Sequence, residues 1–354
     1  MNNKIIRLGI IGTGNAALLH LKAFQSREDV RIAGIVGRNK DKAHMIARQF
    51  DIEWCPTSSK EMINSDEIDA VVIAVPPFVQ PDLAVQAFRR GKHVLCEKPL
   101  GVSLNDVTRV YEVWKESARV GMINFCYRFI PEILEFKARI AAGDCGHVHS
   151  IHAEWILSSR LNPSLTFHWK GQSEFGGGVL QNFGVHMLDY LFFDIPNIKV
   201  SGAKQDIFVT ARQDKDGNMR EVSGDEVTTA LLDIGNGAAA VINLSLVTVP
   251  PVGHRVIARG SKGTMEVRNL NTASQAGPFS LWLFDDSLEQ GKCLSEGKKN
   301  ESDMALLFAR VDKQFIEAIQ NADLNCQPTI EQGLKASKLL HEIKAVAGCT
   351  HAAR

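Results

Sequence analysis

A chain of 354 residues, 45% hydrophobic and 23% charged, is too long for one ordinary core and is expected to fold as two globular domains. Forty basic residues balance forty acidic ones, which argues against a nucleic-acid or anionic-membrane surface. The seven cysteines (Cys55, Cys96, Cys126, Cys145, Cys293, Cys326 and Cys349) are scattered, odd in number and never in a Cys-x-x-Cys pair, a pattern of reduced thiols in a cytoplasm.

The apolar start from Ile5 to Leu21 is interrupted by Arg7 and a glycine loop, so it is not read as a signal peptide. Strand candidates follow at Ile5 to Ile11, Ile32 to Val36, Ala70 to Val75, His93 to Cys96 and Val120 to Asn124. Helices are expected between them near 15–25, 40–50, 58–64, 79–90 and 104–117. Strand-helix alternation with continuous apolar runs predicts a parallel, doubly wound sheet. Ser103, with Asp106 three residues on, is the expected N-cap of the last of these helices.

Beyond Phe125 the rhythm changes. A helix from Pro131 to Ala142 should end at Gly143, followed by alternating β-branched stretches at Val148 to Ile156, Lys199 to Lys204, Glu226 to Asp233, Ala238 to Val247, Arg255 to Arg259, Thr264 to Asn269 and Ser280 to Phe284. Turn signals such as Asp216-Gly217-Asn218 and Gly235-Asn236-Gly237 punctuate them, which predicts a large, mostly antiparallel open sheet. Two helices near 302–322 and 330–346 close the chain. The expected division is a Rossmann domain over 1–124 and an α+β substrate-binding and oligomerisation domain over 125–354. No stretch approaches the ~20 apolar residues of a membrane span. The eleven histidines form no metal-spaced cluster, and His147-x-His149-x-x-His152 alternates as on a strand, so no metal site is expected.

Three motifs carry chemistry. Gly12-x-Gly14-x-x-Ala17 stands between a strand and a helix: Gly12 permits the turn, Gly14 lets backbone approach a pyrophosphate, and Ala17 lets the helix pack close. Thr13, Asn15 and Ala16 complete this loop as expected cofactor contacts. At the end of the second strand, where an NAD enzyme usually places Asp or Glu on the ribose 2′-hydroxyl, the chain has Gly37-Arg38-Asn39. A small residue followed by a guanidinium suits a 2′-phosphate, so NADP is expected over NAD. Glu97-Lys98-Pro99 follows the apolar run His93 to Cys96, where open α/β sheets bind ligands, and an ammonium there can stabilise charge developing on a substrate oxygen. Far downstream, Asn182, His186 and Asp189 follow Gly176-Gly177-Gly178 and would share one face of a helix starting near 179.

With these residues the chain resembles the glucose-fructose oxidoreductase, inositol dehydrogenase and rhizopine-catabolism (Gfo/Idh/MocA) family over nearly its whole length. The resemblance implies that Lys98 is catalytic and that its bond to Pro99 is often cis. It makes His186 the acid-base residue, a role suited to a side chain titrating near neutrality. Asn182 stands where the family often has Asp; it can orient a hydroxyl and cannot take a proton. Val75-Pro76 resembles the loop under the nicotinamide ribose, although Pro77 and Gln80 depart from the usual Asn and His. Trp169-Lys170 resembles a Trp-Arg pair reaching the cofactor, and Glu97 joins the cofactor set. Arg128-Phe129-x-Pro131 matches a further signature, with Arg128 facing substrate or tying the domains. Arg160 and His168 are weaker substrate candidates.

The implied activity is hydride exchange between NADP(H) and a carbinol or ketone of a sugar, sugar derivative or polyol, in a cytoplasmic homodimer or homotetramer. The alternatives are an NAD(P)-assisted, glycosidase-type elimination and a non-catalytic NADP-sensing regulator on the same fold.

Overall fold

The computed structural model describes residues 5–287, 290–298 and 303–348, so Cys349 and the expected helix start at 302 lie outside it. The described residues form two compact units. One runs up to Cys126 and includes Met304–Ser337; the other runs from Tyr127 to Asp303 and includes the residues from Lys338 on.

In the first unit the order is β1 (Ile6–Ile11), α1 (Asn15–Gln25), β2 (Val30–Val36), α2 (Lys40–Gln49), α3 (Ser59–Asn64), β3 (Ala70–Ile73), α4 (Gln80–Arg89), β4 (His93–Cys96), α5 (Leu104–Ser117) and β5 (Gly121–Ile123). The strands make a five-stranded parallel sheet in the order β2-β1-β3-β4-β5. Its middle strands are apolar because both faces are covered: Leu8, Ile10, Val71, Val72, Val94 and Leu95 are fully buried. Outside β2, Trp54 forms a single parallel bridge with Gly34, and its carbonyl accepts from Ile35 N at 3.1 Å. This vestigial edge strand gave no sequence signal, since Pro56 cuts the run short. Ser103 caps α5 as expected, accepting from Asp106 N at 3.1 Å.

The expected division left everything after 125 in the second domain, whereas helix Met304–Gln320 and the start of helix Ile330–Ala347 belong to the first unit. The reason is packing. Leu307, Phe308, Val311 and Phe315 form a buried stripe at helical spacing, and Phe308 meets His20 of α1 with ring centroids 4.7 Å apart.

The second unit contains α6 (Pro131–Ala142), β6 (Val148–Ile156), α7 (Val185–Phe192) and the strands β7 (Lys199–Asp206), β8 (Ala211–Gln213), β9 (Met219–Glu221), β10 (Val227–Asp233), β11 (Ala239–Ser245), β12 (Gly253–Gly260), β13 (Thr264–Asn269), β14 (Ser280–Phe284) and β15 (Lys292–Glu296). α6 opens on Pro131 and ends at Gly143, whose φ of 85° is the left-handed cap conformation. The large sheet has eight strands in the order β15-β14-β13-β12-β6-β11-β10-β7, antiparallel except for β6 with β11. Alternation decides its faces: Thr228, Ala230 and Leu232 point into the core while Thr229 and Leu231 point out. β8 and β9 form a separate hairpin around the Asp216-Gly217-Asn218 turn, too short to register as strands in the sequence. Among the described residues no helix is long and apolar enough to cross a membrane.

Candidate active site

The glycine loop of the first unit is built for close approach. Gly12 has φ +134°, its N–H donates to Val36 O at 2.8 Å, and a Cβ there would strike the Ala74 carbonyl. A Cβ on Gly14 would meet nothing within 4 Å, so this backbone is open. α1 has no side-chain cap and no acid in its first turn, which leaves its amides and positive dipole end available to an anion. Ala17 is fully buried, which seats Asn15 and Ala16 at the mouth of the loop. A Cβ on Gly37 would crowd the Thr13 side chain, so the β2 end and the loop are fitted to each other. Arg38 is exposed at that end; Asn39 caps α2 by accepting from Lys42 N at 2.9 Å, and Asp41 lies inside the helix. These residues fit a dinucleotide.

Half-buried Val75 and Pro76 follow β3, and half-buried Lys98 follows β4, so the loop, Arg38, Val75, Pro76 and Lys98 all stand at carboxyl ends of neighbouring strands. The Lys98–Pro99 bond is cis. Gln80, which replaces the family's usual His, donates its amide to Pro99 O at 2.9 Å and so ties the two loops together.

The Glu97 side chain, at the end of β4, points inward. Its carboxylate is buried, accepting from Asn124 Nδ2 at 2.6 Å and from Lys98 N at 3.2 Å, with His20 Nε2 at 3.2 Å. His20 is fully buried, and its Nδ1 lies 2.7 Å from Asp312 Oδ1. Burial opposes charge on the ring, yet the two carboxylates outweigh it and lift His20 to about 9. Burial likewise opposes charge on Glu97, but His20, Asn124 and Lys98 hold it below the ordinary glutamate value. This cluster was not foreseen: its members are 77 and 292 residues from His20 in sequence.

In the second unit, Gly176-Gly177-Gly178 serves tight packing. Gly178 has φ +103° and a Cβ there would strike the Asp225 carboxylate; one on Gly177 would strike the Lys170 backbone. Asp225 anchors the next segment, accepting from Leu180 N at 3.0 Å and from Thr228 Oγ1 at 2.6 Å. That segment is a π-helical turn, Leu180–Gly184, which continues as α7; the sequence reading expected regular helix from 179. Lys344 braces the turn by donating to Gln181 Oε1 at 2.6 Å. Asn182 donates to Gly178 O at 2.8 Å, which fixes its amide plane.

His186 is buried and packs its ring on Tyr127, with centroids 4.6 Å apart. Behind Tyr127, Trp155 stacks on His254 at 4.1 Å, and the Tyr190 hydroxyl and His254 Nε2 share a hydrogen bond of 2.8 Å. Burial pushes His254 down to about 3, so it stays neutral.

Asp189, three residues after His186 on α7, is paired with Arg128, whose guanidinium donates to both carboxylate oxygens at 2.6 and 2.5 Å and lies 3.8 Å over the Phe193 ring. Burial lifts Asp189 to about 6 despite the Arg128 charge. Trp169 and Lys170 form a short turn capped by His168 Nδ1, which accepts from Lys170 N at 3.2 Å; Arg160 donates to Lys170 O at 3.0 Å. Thus Lys170, Gly176 to Gly178, Asn182 and His186 lie in the second unit, while the glycine loop, Arg38 and Lys98 lie in the first.

The family model described as the oxidoreductase family with an NAD-binding Rossmann fold matches residues 6–125, and the GFO/IDH/MocA C-terminal domain matches residues 133–266. The chain belongs to the GFO/IDH/MocA family. Among its relatives in the family, glucose-6-phosphate 3-dehydrogenase of Bacillus subtilis is 25% identical over 70% of this chain and 72% of its own. Levoglucosan dehydrogenase, solved with NADH and L-sorbose, superposes with a TM-score of 0.87 at 19% identity, covering 97% of each chain. A 3-ketoreductase from Actinomadura kijaniata, solved with NADP and TDP-benzene, gives 0.77 at 21% identity over 96% of this chain and 97% of its own.

Proposed function

We propose that this GFO/IDH/MocA member is an NADP(H)-dependent oxidoreductase acting on a carbinol or ketone of a sugar, sugar derivative or polyol. The observation that carries the reading is Lys98: an ammonium at the carboxyl end of β4, on a turn anchored from below by Glu97, in the same row of strand ends as an open glycine loop. Gly12, Thr13, Gly14, Asn15 and Ala16 would hold the pyrophosphate through backbone amides, with Val75, Pro76, Trp169 and Lys170 lining the remainder of the cofactor. When bound, the nicotinamide supplies or accepts the hydride. Lys98 stabilises the developing alkoxide, His186 moves the hydroxyl proton, and Asn182 orients the substrate.

NADP is favoured over NAD because Arg38 is exposed beside Gly37 where no carboxylate stands. Relatives solved with NADH and with NADP both exist, so this local chemistry decides the proposal. A polyhydroxy substrate suits the Lys, Asn and His set, and the dehydrogenase named for glucose 6-phosphate supports a sugar. Six free cysteines among the described residues suit a reducing cytoplasm. The test is a thermal-shift comparison of NADPH with NADH, followed by a sugar and polyol panel monitored at the nicotinamide absorbance. Turnover of at least one panel member with NADP supports the reading, and cofactor binding with no turnover on any of them counts against it.

A further inference from the structure

Beneath Lys98 lies a charge cluster that the proposed reaction does not use. Asp312 Oδ2 and Asn124 Oδ1 are buried without a hydrogen-bond partner among the described residues, so His20 is the one partner shown for the Asp312 carboxylate. A buried carboxylate without a cation is costly, and His20 is the cation between two of them. We propose that His20 and Asp312 are positioning residues for Lys98, acting through Glu97, so that a helix more than two hundred residues downstream in sequence sets the turn that carries the lysine.

The chain of contact is short. Asp312 holds His20 Nδ1, which fixes the ring so that Nε2 donates to Glu97 Oε1; Glu97 Oε2 in turn accepts the backbone N–H of Lys98 itself. Asn124 of the segment after β5 shares Glu97 Oε1 with His20, so the carboxylate cannot rotate without losing two donors. The groups that face His20 are Asp312 and Phe308 from helix Met304–Gln320, Glu97 from the end of β4 and Phe24 from its own helix. Arg27 acts on Asp312, and Lys98 acts on Glu97. Burial lifts the Asp312 carboxyl above its ordinary value, against the lowering effect of His20.

The proposal rests on the reading of Lys98 as the catalytic lysine, and its test does not need a substrate. In the full chain labelled with [13Cε1]-histidine, the His20 resonance is assigned by its loss in His20→Asn and titrated by NMR. The expected midpoint is about 9. Asp312→Asn keeps an oxygen acceptor and removes the charge, and should lower that midpoint by roughly one pH unit or more. Lys98→Met removes a cation beside Glu97 and should raise the His20 midpoint by a few tenths of a unit, on the order of a twofold change in proton affinity. A positioning role also predicts that Asp312→Asn shifts the amide resonance of Lys98, whose N–H donates to Glu97, whereas a merely structural role leaves that resonance unmoved. A midpoint unmoved by both variants overturns the proposal, even if Lys98→Met abolishes turnover on the sugar panel and so upholds the enzymatic reading. Movement in both variants supports the coupling, and absence of any turnover would then count against the enzymatic reading alone.

Discussion

Asp189→Ala is expected to destabilise the second unit severely. The Asp189 side chain is 1% exposed and that of Arg128 8%, and the pair is bidentate at 2.6 and 2.5 Å. Removing the carboxylate takes both of these charge-assisted bonds from a buried guanidinium confined over Phe193, a loss on the scale of about 3–5 kcal/mol. For a unit of this size, that corresponds to a fall in the thermal midpoint of about 10 °C. The double variant Arg128→Met with Asp189→Leu removes both charges and keeps volume, so it should recover most of the loss. Differential scanning calorimetry of the three proteins reads both effects. A single variant within about 1 kcal/mol of the parent would refute the reasoning and return Arg128 to a substrate-facing role.

Arg38→Ala should erode the preference for NADPH over NADH by about 1–3 kcal/mol in fluorescence titrations, the scale of a charge-assisted contact; equal affinity in the unmutated protein would sink that idea. His254 is held near 3 in the fold against 6.5 when exposed, so the unfolded state binds the extra proton. Stability should therefore decline by a few kcal/mol as pH falls from about 6.5 towards 3, and His254→Gln should flatten that limb in pH-dependent unfolding. On the outer face of the large sheet Leu231, 44% exposed, lies in one row with half-buried Val241, His152, Ile257 and Trp282 and with Glu266, and this row is the expected seam of a homodimer or tetramer. Light scattering should show an oligomer that Leu231→Glu weakens, and a parent protein that is monomeric at micromolar concentration contradicts the proposal.

What the sequence made legible was local. Gly12 and Ala17 announce a strand-to-helix turn because only small residues fit there, Ser103 announces a cap, and Gly143 announces a stop. The parallel and antiparallel sheets were readable from continuous versus alternating apolar runs. What escaped was set by distant partners. Nothing near His20 says that a carboxylate from residue 312 will neutralise it, and nothing near Gly178 says that Asp225 fills the space its missing side chain leaves. The π-helical turn at Leu180–Gly184 escaped because its residues also suit an ordinary helix; the tertiary braces from Asp225 and Lys344 accompany the wider turn. Spacing put Asp189 with His186 on one helix face, and only the fold reveals Arg128 as its partner.

The proposed reaction gives Lys98 the developing alkoxide and His186 the hydroxyl proton. The most direct measurement is kcat for Lys98→Ala and His186→Ala on the best panel substrate, beside the NADPH affinity of each. Each substitution should cut kcat by about a hundredfold or more, the scale for oxyanion stabilisation and general acid-base transfer, while cofactor affinity changes by less than about threefold. Turnover within about threefold of the parent in either variant would contradict the claim.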